Sequence, residues 1–280
     1  MGTETRIKEA TILLTGGTGS LGQAIVEYLV KQNPEQKVRI YSRGEHLQAE
    51  MRQHFPNLRY IIGDIREYDK IYRAMNQTDY VIHCAALKRV EVCEENPSEA
   101  ISTNVNGTEN VIGAALNRGI QKVLAISSDK AVHPINLYGT TKLVMEKLIL
   151  QANGYVDSKF SVFRSGNFFA SRGSVIPLWE RQYQEKGEIS ITDGDMTRYW
   201  ITLEGAAEFA VRCLRMMEGG EIFIPRMKLA EMREIAKTMF PDAKIKFIGK
   251  RSGERAHEMI IAEGEEEILQ DKGDYYLIKP

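Results

Sequence analysis

Residues 11–22 read TILLTGGTGSLG, in which Gly16, Gly19 and Gly22 are spaced three apart. The apolar residues before the first glycine predict a short buried strand, and the apolar spacing of residues 21–29 predicts an amphipathic helix after it. Glycine at these positions permits a tight turn, a close approach of the backbone to a pyrophosphate and close packing of helix on strand. An ordinary glycine loop is the alternative, but the flanking strand and helix are the context that a dinucleotide-binding loop requires.

Strand and helix patterns alternate along the following residues. Strands are predicted at 37–42, 58–62, 80–86, 123–126 and 160–164, and helices at 44–54, roughly 97–118 and from about 138 onward. This alternation predicts an α/β fold with a doubly wound parallel sheet of the Rossmann type. Ligands bind beyond the carboxyl ends of such strands. Six residues follow predicted strand ends and should line that edge: Gly16, Arg43, Asp64, Ala85, Asp129 and Arg164.

Composition narrows the class of protein. The 280 residues are 43% hydrophobic and 27% charged, as in soluble globular proteins. A net charge of -1 argues against a nucleic-acid-binding surface. Cys84, Cys93 and Cys213 lack CxxC spacing, so we expect reduced thiols, no metal site and a cytoplasmic location. The polar residues 1–10 predict no signal peptide, and the sequence has no apolar run long enough to span a membrane.

A second informative stretch, residues 127–142, reads SSDKAVHPINLYGTTK. Tyr138 and Lys142 are four apart and share one face of the predicted helix. An ammonium beside a phenol should lower the phenol pKa from its usual value near 10, so that Tyr138 can take a proton from a sugar hydroxyl. A surface tyrosine and lysine remain the alternative, because the YxxxK pattern is short.

The end of the second strand indicates the cofactor. An acidic residue there usually binds the ribose 2′-hydroxyl of NAD, but this chain has Ser42 and Arg43. A hydroxyl and a guanidinium suit a 2′-phosphate, which favours NADP. A solvated loop arginine is the alternative. Asp64 is placed to meet the adenine amino group, or it is a loop or capping residue.

Several further segments carry a resemblance. They are YSR (41–43), GDIR (63–66), HCAALKRVE (83–91), TNVNGT (103–108), SRGSVIP (171–177), MTRYWIT (196–202) and GERAHE (253–258). Together with the two stretches above, they cover about residues 11–260. The chain resembles the extended short-chain dehydrogenase/reductase family, and within it the inverting UDP-N-acetylglucosamine 4,6-dehydratases of surface-sugar pathways. One departure is Ser165, where the family usually has tyrosine.

The resemblance implies roles for individual residues. It implies a cofactor site formed by Gly16, Thr18, Gly19, Ser20, Leu21, Gly22, Ser42, Arg43, Asp64, Ile65, Ala85, Ala86, Lys88, Asn104, Tyr138 and Lys142. It implies a substrate site formed by Lys88, Asn167, Val175, Arg198, Arg251 and Glu254. The implied organisation is an NADP-binding Rossmann domain at residues 1–169 and a mainly substrate-binding lobe at 170–280, part of which returns to the Rossmann core. The implied partners are a UDP-sugar and a second copy of the chain in a homo-oligomer.

The implied reaction sets demands on the residues after the fifth strand. Oxidation at C4 needs a base, which Tyr138 supplies, with Ser128 on the 4-oxygen. Elimination needs a base at C5 and an acid at the 6-hydroxyl. Asp129 and Lys130 supply these if the chain leaves strand geometry there, because adjacent strand residues face opposite ways. Burial should protonate Asp129 and lower the pKa of Lys130.

Three functions stay open at this point. The first is the NADP-dependent 4,6-dehydratase, and the second is a UDP-sugar 4-epimerase, which needs no acid or base at C5 and C6. The third is a non-catalytic NADP-sensing protein, which the intact pair of Tyr138 and Lys142 argues against. For Asp129 and Lys130, a solvated loop pair is the alternative.

Overall fold

The computed structural model describes residues 7, 9–155, 157–251 and 253–279. The strands are β1 (Ile12–Thr15), β2 (Val38–Ser42), β3 (Arg59–Ile62), β4 (Tyr80–His83), β5 (Lys122–Ser128), β6 (Lys159–Ser165), β7 (Asn167–Phe168), β8 (Glu188–Ile191), β9 (Thr197–Ile201), β10 (Ile222–Pro225), β11 (Lys228–Glu231), β12 (Lys244–Phe247), β13 (Leu269–Asp271) and β14 (Tyr275–Ile278). The helices are α1 (Ser20–Gln32), α2 (Glu45–His54), α3 (Tyr68–Ala74), α4 (Val90–Glu95), α5 (Pro97–Ile101), α6 (Gly107–Arg118), α7 (Leu137–Gln151), α8 (Val175–Lys186), α9 (Leu203–Met216) and α10 (Met232–Met239).

The large sheet confirms the predicted α/β fold. Among the described residues, nine strands pair in the order β3-β2-β1-β4-β5-β6-β10-β14-β13. Pairing is parallel from β3 to β10 and antiparallel where β14 joins β10 and β13. The order reverses at β1, and the next strand along the chain on the other side is β4. This is the topological switch point at which doubly wound sheets bind ligands.

Apolar side chains on both sheet faces explain why the strands are continuous apolar runs. Every residue of β1 is buried. One face of the sheet packs against α1 and α9, and the other against α3, α6 and α7. The α9 helix carries small residues, among them Ala206, Ala207 and Ala210, which are fully buried against this core.

The lobe beyond the sheet has a core of its own. Strands β7, β9 and β11 form one small sheet, and β8 and β12 form another. Helices α8 and α10 cover them, and Trp179 and Ile176 are fully buried at the centre. Four elements from the C-terminal half belong to the Rossmann core: α9 packs on the large sheet, and β10, β13 and β14 are strands of it. The carboxyl edge of the large sheet therefore faces a second layer contributed by the lobe, and a cleft lies between them.

Two local predictions differ from the structure. The helix predicted over 97–118 is divided into α5, a turn of π-helix at Ser102–Asn106 and α6. The π-turn places Asn104 so that its side chain bonds both the N–H and the carbonyl of Leu87, at 2.8 and 2.9 Å. Arg164 does not follow a strand end, because β6 continues to Ser165. A π-helical turn within a helix, such as the one at Ser102–Asn106, is common at functional sites.

Over residues 7, 9–155, 157–251 and 253–279, no helix combines the length and the apolar character needed to cross a bilayer. Nor do they contain three or more His, Cys, Asp or Glu side chains grouped so that they could hold a metal ion. The predicted absence of a signal peptide concerns residues 1–10, of which 1–6 and 8 lie outside the described residues.

Candidate active site

A cleft of about 1310 Å³ opens at the carboxyl edge of the large sheet. Most of the predicted site residues line it. They are Gly16, Thr18, Gly19, Ser20, Leu21, Gly22, Ser42, Arg43, Asp64, Ile65, Ala85, Ala86, Lys88, Ser128, Lys130, Tyr138, Lys142, Asn167, Val175, Arg198, Arg251 and Glu254. The edge of the Rossmann sheet and the lobe thus contribute to one continuous cavity.

The glycine loop (residues 16–22) forms one end of the cleft. Gly16 has a φ of 66°, and a Cβ there would lie 2.8 Å from Ala85 Cα. A Cβ on Gly22 would lie 2.6 Å from the Gly17 carbonyl oxygen. Helix α1 begins at Ser20 without a side-chain cap, so its first N–H groups are available to an anion. This cradle, which any larger side chain would fill, fits the pyrophosphate of a dinucleotide.

Arg43 and Asp64 lie side by side beyond the glycine loop. The Arg43 side chain is 54% exposed, and its guanidinium lies 3.7 Å from the Asp64 carboxylate. Arg66 binds the same carboxylate at 2.7 Å. Burial raises the pKa of Asp64, but the hydrogen bonds from Arg66 outweigh it and the pKa is lowered. Ser42 is buried and accepts from Gln48 at 3.0 Å. A basic group is thus held where β2 ends.

Tyr138 and Lys142 both lie on α7, whose first turn is capped by Asn136 at 2.8 Å. The Lys142 ammonium donates to the Ile126 carbonyl at 2.5 Å. Burial lowers the pKa of Lys142 to about 8, against the charge of Glu146. Burial also raises the pKa of Tyr138 to about 12, and the groups that oppose it most are Lys130 and Ser128. The expectation of a lowered Tyr138 pKa is therefore wrong, because desolvation of the phenol outweighs the charges around it.

Asp129 and Lys130 lie where the chain leaves strand geometry, as predicted. After Ser128 the backbone turns into a short 3-10 helix, Asp129–Ala131. The Lys130 ammonium donates to Asp129 Oδ1 at 3.1 Å, and the Ser128 hydroxyl donates to the same oxygen at 2.8 Å. Asp129 is fully buried, and its Oδ2 has no hydrogen-bond partner among the described residues. Asp129, Lys130 and Ser128 thus form one hydrogen-bonded cluster at the end of β5.

The pKa of Lys130 is shifted in the direction opposite to the one expected. Burial lowers it, as predicted, but the charges of Asp129 and Glu258 outweigh burial, so the pKa is raised. Glu258 Oε1 lies 3.5 Å from the Lys130 ammonium. The two carboxylates therefore favour the ammonium form of Lys130.

The substrate-binding candidates differ in how they are held. The Lys88 ammonium donates to the Arg172 carbonyl at 2.7 Å. Arg198 is buried, and its guanidinium donates to the carbonyls of Thr197 and Ala256 at 2.8 and 3.0 Å. Asn167 begins β7, and one residue separates it from the end of β6. Lys88 and Arg198 are thus both held by backbone carbonyls.

The sequence pattern of a known family matches residues 12–280 of this chain. The description of that family is "Polysaccharide biosynthesis protein". The chain belongs to this family.

Individual proteins are similar to this chain over nearly its whole length. A UDP-N-acetylglucosamine 4,6-dehydratase (inverting) of Campylobacter jejuni is 42% identical, over 96% of this chain and 82% of that protein. A UDP-glucose 4-epimerase of Rickettsia massiliae is 40% identical, over 96% and 83%. The crystal structure of Pen from Bacillus thuringiensis superposes with a TM-score of 0.93 at 38% identity, over 98% of this chain and 90% of that one.

Three of the residues singled out in the sequence do not line the cleft. Asn104 lies behind the cleft lining and fixes the backbone of Leu87. Arg164 is buried in β6 and binds Glu146 and Glu265. Asp129 lies directly behind Ser128 and Lys130 with no exposed surface.

One residue of the cleft was missed. Glu258 lines the cavity and contacts Lys130. Its only signal in the sequence is its position at the end of the GERAHE segment, and nothing in that segment shows that it meets the residue after β5. The assignment of roles to all these residues stays a prediction.

Proposed function

We propose that the protein catalyses the NADP-dependent 4,6-dehydration of UDP-N-acetylglucosamine, with inversion at C5. The observation that carries this proposal is the position of Lys130 beside Tyr138 on the wall of a cleft that also contains the glycine loop, with Asp129 bonded to Lys130 directly behind that wall. Oxidation at C4 alone needs only Tyr138. An acid and a base next to it serve a further step of elimination. The similarity to the Campylobacter jejuni dehydratase supports the same activity.

We assign each proton transfer of this reaction to a different residue of the site. When bound, NADP would supply reversible hydride transfer, from C4 and later to C6, where a solvent-derived proton at C5 completes the reduction. Tyr138 takes the proton of the 4-hydroxyl, and Ser128 is placed to bind the 4-oxygen. Lys130 takes the C5 proton, which the neighbouring ketone makes acidic, and Asp129 gives a proton to the departing 6-hydroxyl, which leaves as water.

Arg43 supports the choice of NADP over NAD. Its side chain lines the cleft and is more than half exposed, so its guanidinium can turn toward a 2′-phosphate. Strand β2 ends at Ser42 and Arg43 follows it, in place of the acidic residue that binds a free 2′-hydroxyl. Asp64, which is bound by Arg66, is left as the candidate for the adenine amino group.

A UDP-sugar 4-epimerase is the second candidate, because a relative with that name is 40% identical. The two functions differ in what happens at C5 and C6. An epimerase leaves both positions unchanged, whereas the dehydratase removes water and exchanges the C5 proton with solvent. The buried Asp129 beside Lys130 favours the dehydratase, because epimerisation gives neither residue a proton to move.

Incubation with UDP-N-acetylglucosamine and NADP in D₂O separates the candidates. We expect a product that has lost one water by mass spectrometry and carries deuterium at C5 by NMR. An unlabelled product of unchanged mass would point to the epimerase instead. A product labelled at C5 but with unchanged C5 configuration would keep the dehydratase and remove the inversion.

Lys130→Met then tests the assignment of the base. The C4 hydride can still transfer, so we expect bound NADPH to form, with no C5 label and little dehydrated product. Asp129→Asn should retain C5 exchange while elimination slows. Lys147→Met, an exposed lysine on α7, is the control and should behave as the wild type. C5 exchange at the wild-type rate in Lys130→Met would assign the base to another residue.

The proposal extends to location and assembly. The free cysteines, of which Cys93 and Cys213 are buried, support a reducing cytoplasm. The homo-oligomer rests on the resemblance to the extended short-chain dehydrogenases. Light scattering after size-exclusion chromatography measures the mass, and a value of 31.8 kDa, that of one chain, would contradict the oligomer.

A further inference from the structure

Glu258 faces the same ammonium as Asp129 but comes from a distant part of the chain. Its Oε1 lies 3.5 Å from Lys130 Nζ, and its side chain is 6% exposed. It lines the cleft, whereas Asp129 lies behind the lining. The Lys130 side chain, at 21% exposure, thus lies between a carboxylate on each side and retains an opening to the cavity.

The segment that carries Glu258 is anchored at several points, so its position is determined. We call residues 253–265 the C-terminal segment. Asn136 donates to the Gly253 carbonyl at 3.0 Å, and Arg198 donates to the Ala256 carbonyl at 3.0 Å. Arg164 donates to the Ile260 carbonyl at 3.1 Å. These anchors lie on both sides of Glu258 along the chain.

The other charged groups around Lys130 do not replace Glu258. Asp129 is the nearest, at 3.1 Å. Arg198, on β9, repels the ammonium, and Tyr138, on α7, acts on it more weakly than the carboxylates. Tyr199, also on β9, senses the charge of Asp129. If Asp129 carries the proton for elimination, Glu258 is the anion that remains to balance Lys130.

We infer that Glu258 is a positioning residue for Lys130: its carboxylate holds the ammonium at the cleft wall and governs how readily Lys130 releases its proton. This inference rests on the proposed dehydratase function for its role in the reaction. In that reaction Lys130 must be neutral before it accepts the C5 proton.

The sign of the effect follows from the charges. A carboxylate within about 4–6 Å of an ammonium favours its charged form. Glu258→Gln removes the charge and keeps the shape, so the pKa of Lys130 falls. The base form then appears at lower pH, and the acidic limb of the C5-exchange rate should move down by about one pH unit. Glu258→Asp keeps the charge at shorter reach, so its limb should move less.

Titration of Lys130 itself tests the inference without any turnover. The protein is labelled with ¹³C at the lysine ε-carbons, and the Lys130 signal is assigned by its loss in Lys130→Met. We expect its pKa to fall by about one unit in Glu258→Gln and by less in Glu258→Asp. Glu267→Gln, an exposed carboxylate near the same segment, is the control and should leave the titration unchanged.

The outcomes are distinguishable. An unchanged Lys130 titration in a folded Glu258→Gln variant overturns the inference, as does a rate that falls equally at every pH. If Glu258→Gln does not fold, the Glu258→Asp titration decides in the same way. A wild type that forms no dehydrated product refutes the proposed function, while the titration still decides whether Glu258 governs Lys130.

Discussion

The glycine loop and the acid–base wall (Ser128, Asp129, Lys130 and Glu258) lie in one cleft but are built in different ways. The glycine loop depends on the backbone of seven consecutive residues, where a Cβ on Gly22 would meet the Gly17 carbonyl at 2.6 Å. The acid–base wall depends on side chains from separate segments, in which Lys130 meets Glu258 at 3.5 Å. A local pattern therefore encodes the first region, whereas the second exists only once the whole chain is folded.

The largest effect should come from the acid–base side of the cleft. Tyr138→Phe removes the base at C4, and we expect a rate loss of about 10²–10⁴. The glycine loop is untouched, so the affinity for cofactor should remain near that of the wild type. Stopped-flow absorbance of bound NADPH and calorimetry of cofactor binding measure the two separately. Rapid NADPH formation in Tyr138→Phe would place the C4 base elsewhere.

The next effect concerns the charge network that holds the C-terminal segment. Arg164 is 2% exposed and binds Glu146 at 2.7 Å and Glu265 at 2.6 Å. Arg164→Ala leaves the buried Glu146 without its partner, and we expect the free energy of unfolding to fall by about 3–5 kcal/mol. Urea unfolding measures this. Arg164→Lys should lose less, because it keeps the charge but not the paired hydrogen bonds. A cost below about 1 kcal/mol would mean that the network does not stabilise the fold.

A substitution in the glycine loop should have a smaller effect and act on the other function. Gly22→Ala introduces a Cβ that overlaps the Gly17 backbone, and relieving the overlap costs about 1–3 kcal/mol. We expect cofactor affinity to weaken by about 10- to 100-fold, while the Lys130 titration stays unchanged. Gly154→Ala is the control, since a Cβ there meets nothing within 4 Å. Equal cofactor affinity in the two variants would show that the loop tolerates the overlap.

The smallest effect should be a change in cofactor preference. Arg43→Asp replaces a half-exposed guanidinium with a carboxylate, and we expect NADP to weaken by about tenfold relative to NAD. Dissociation constants for both cofactors provide the measurement. An equal loss for both would mean that Arg43 does not bind the 2′-phosphate.

The difference between the two regions explains what the sequence could predict. The glycine loop, the alternating elements and the turn at Asp129 are all encoded by neighbouring residues, and the structure contains them. The position of Arg164 was wrong because pattern alone does not fix a strand end to within a residue. The direction of the Lys130 pKa was wrong because the charge of Asp129, together with that of Glu258, which approaches only through tertiary contacts, outweighs burial. The Tyr138 pKa was wrong because the desolvation of its phenol also depends on the finished packing.

The link between Arg164 and Glu265 also has a consequence for synthesis. Glu265 follows Arg164 by 101 residues in the chain, so it leaves the ribosome well after β6. Chains tend to fold from the N-terminus as they emerge. Strands β1 to β6 of the large sheet are all complete before Glu265 is synthesised. A nascent chain can therefore assemble the glycine loop while the guanidinium of Arg164 still lacks one of its two carboxylates. Competence to bind cofactor then precedes competence for the acid–base steps during translation.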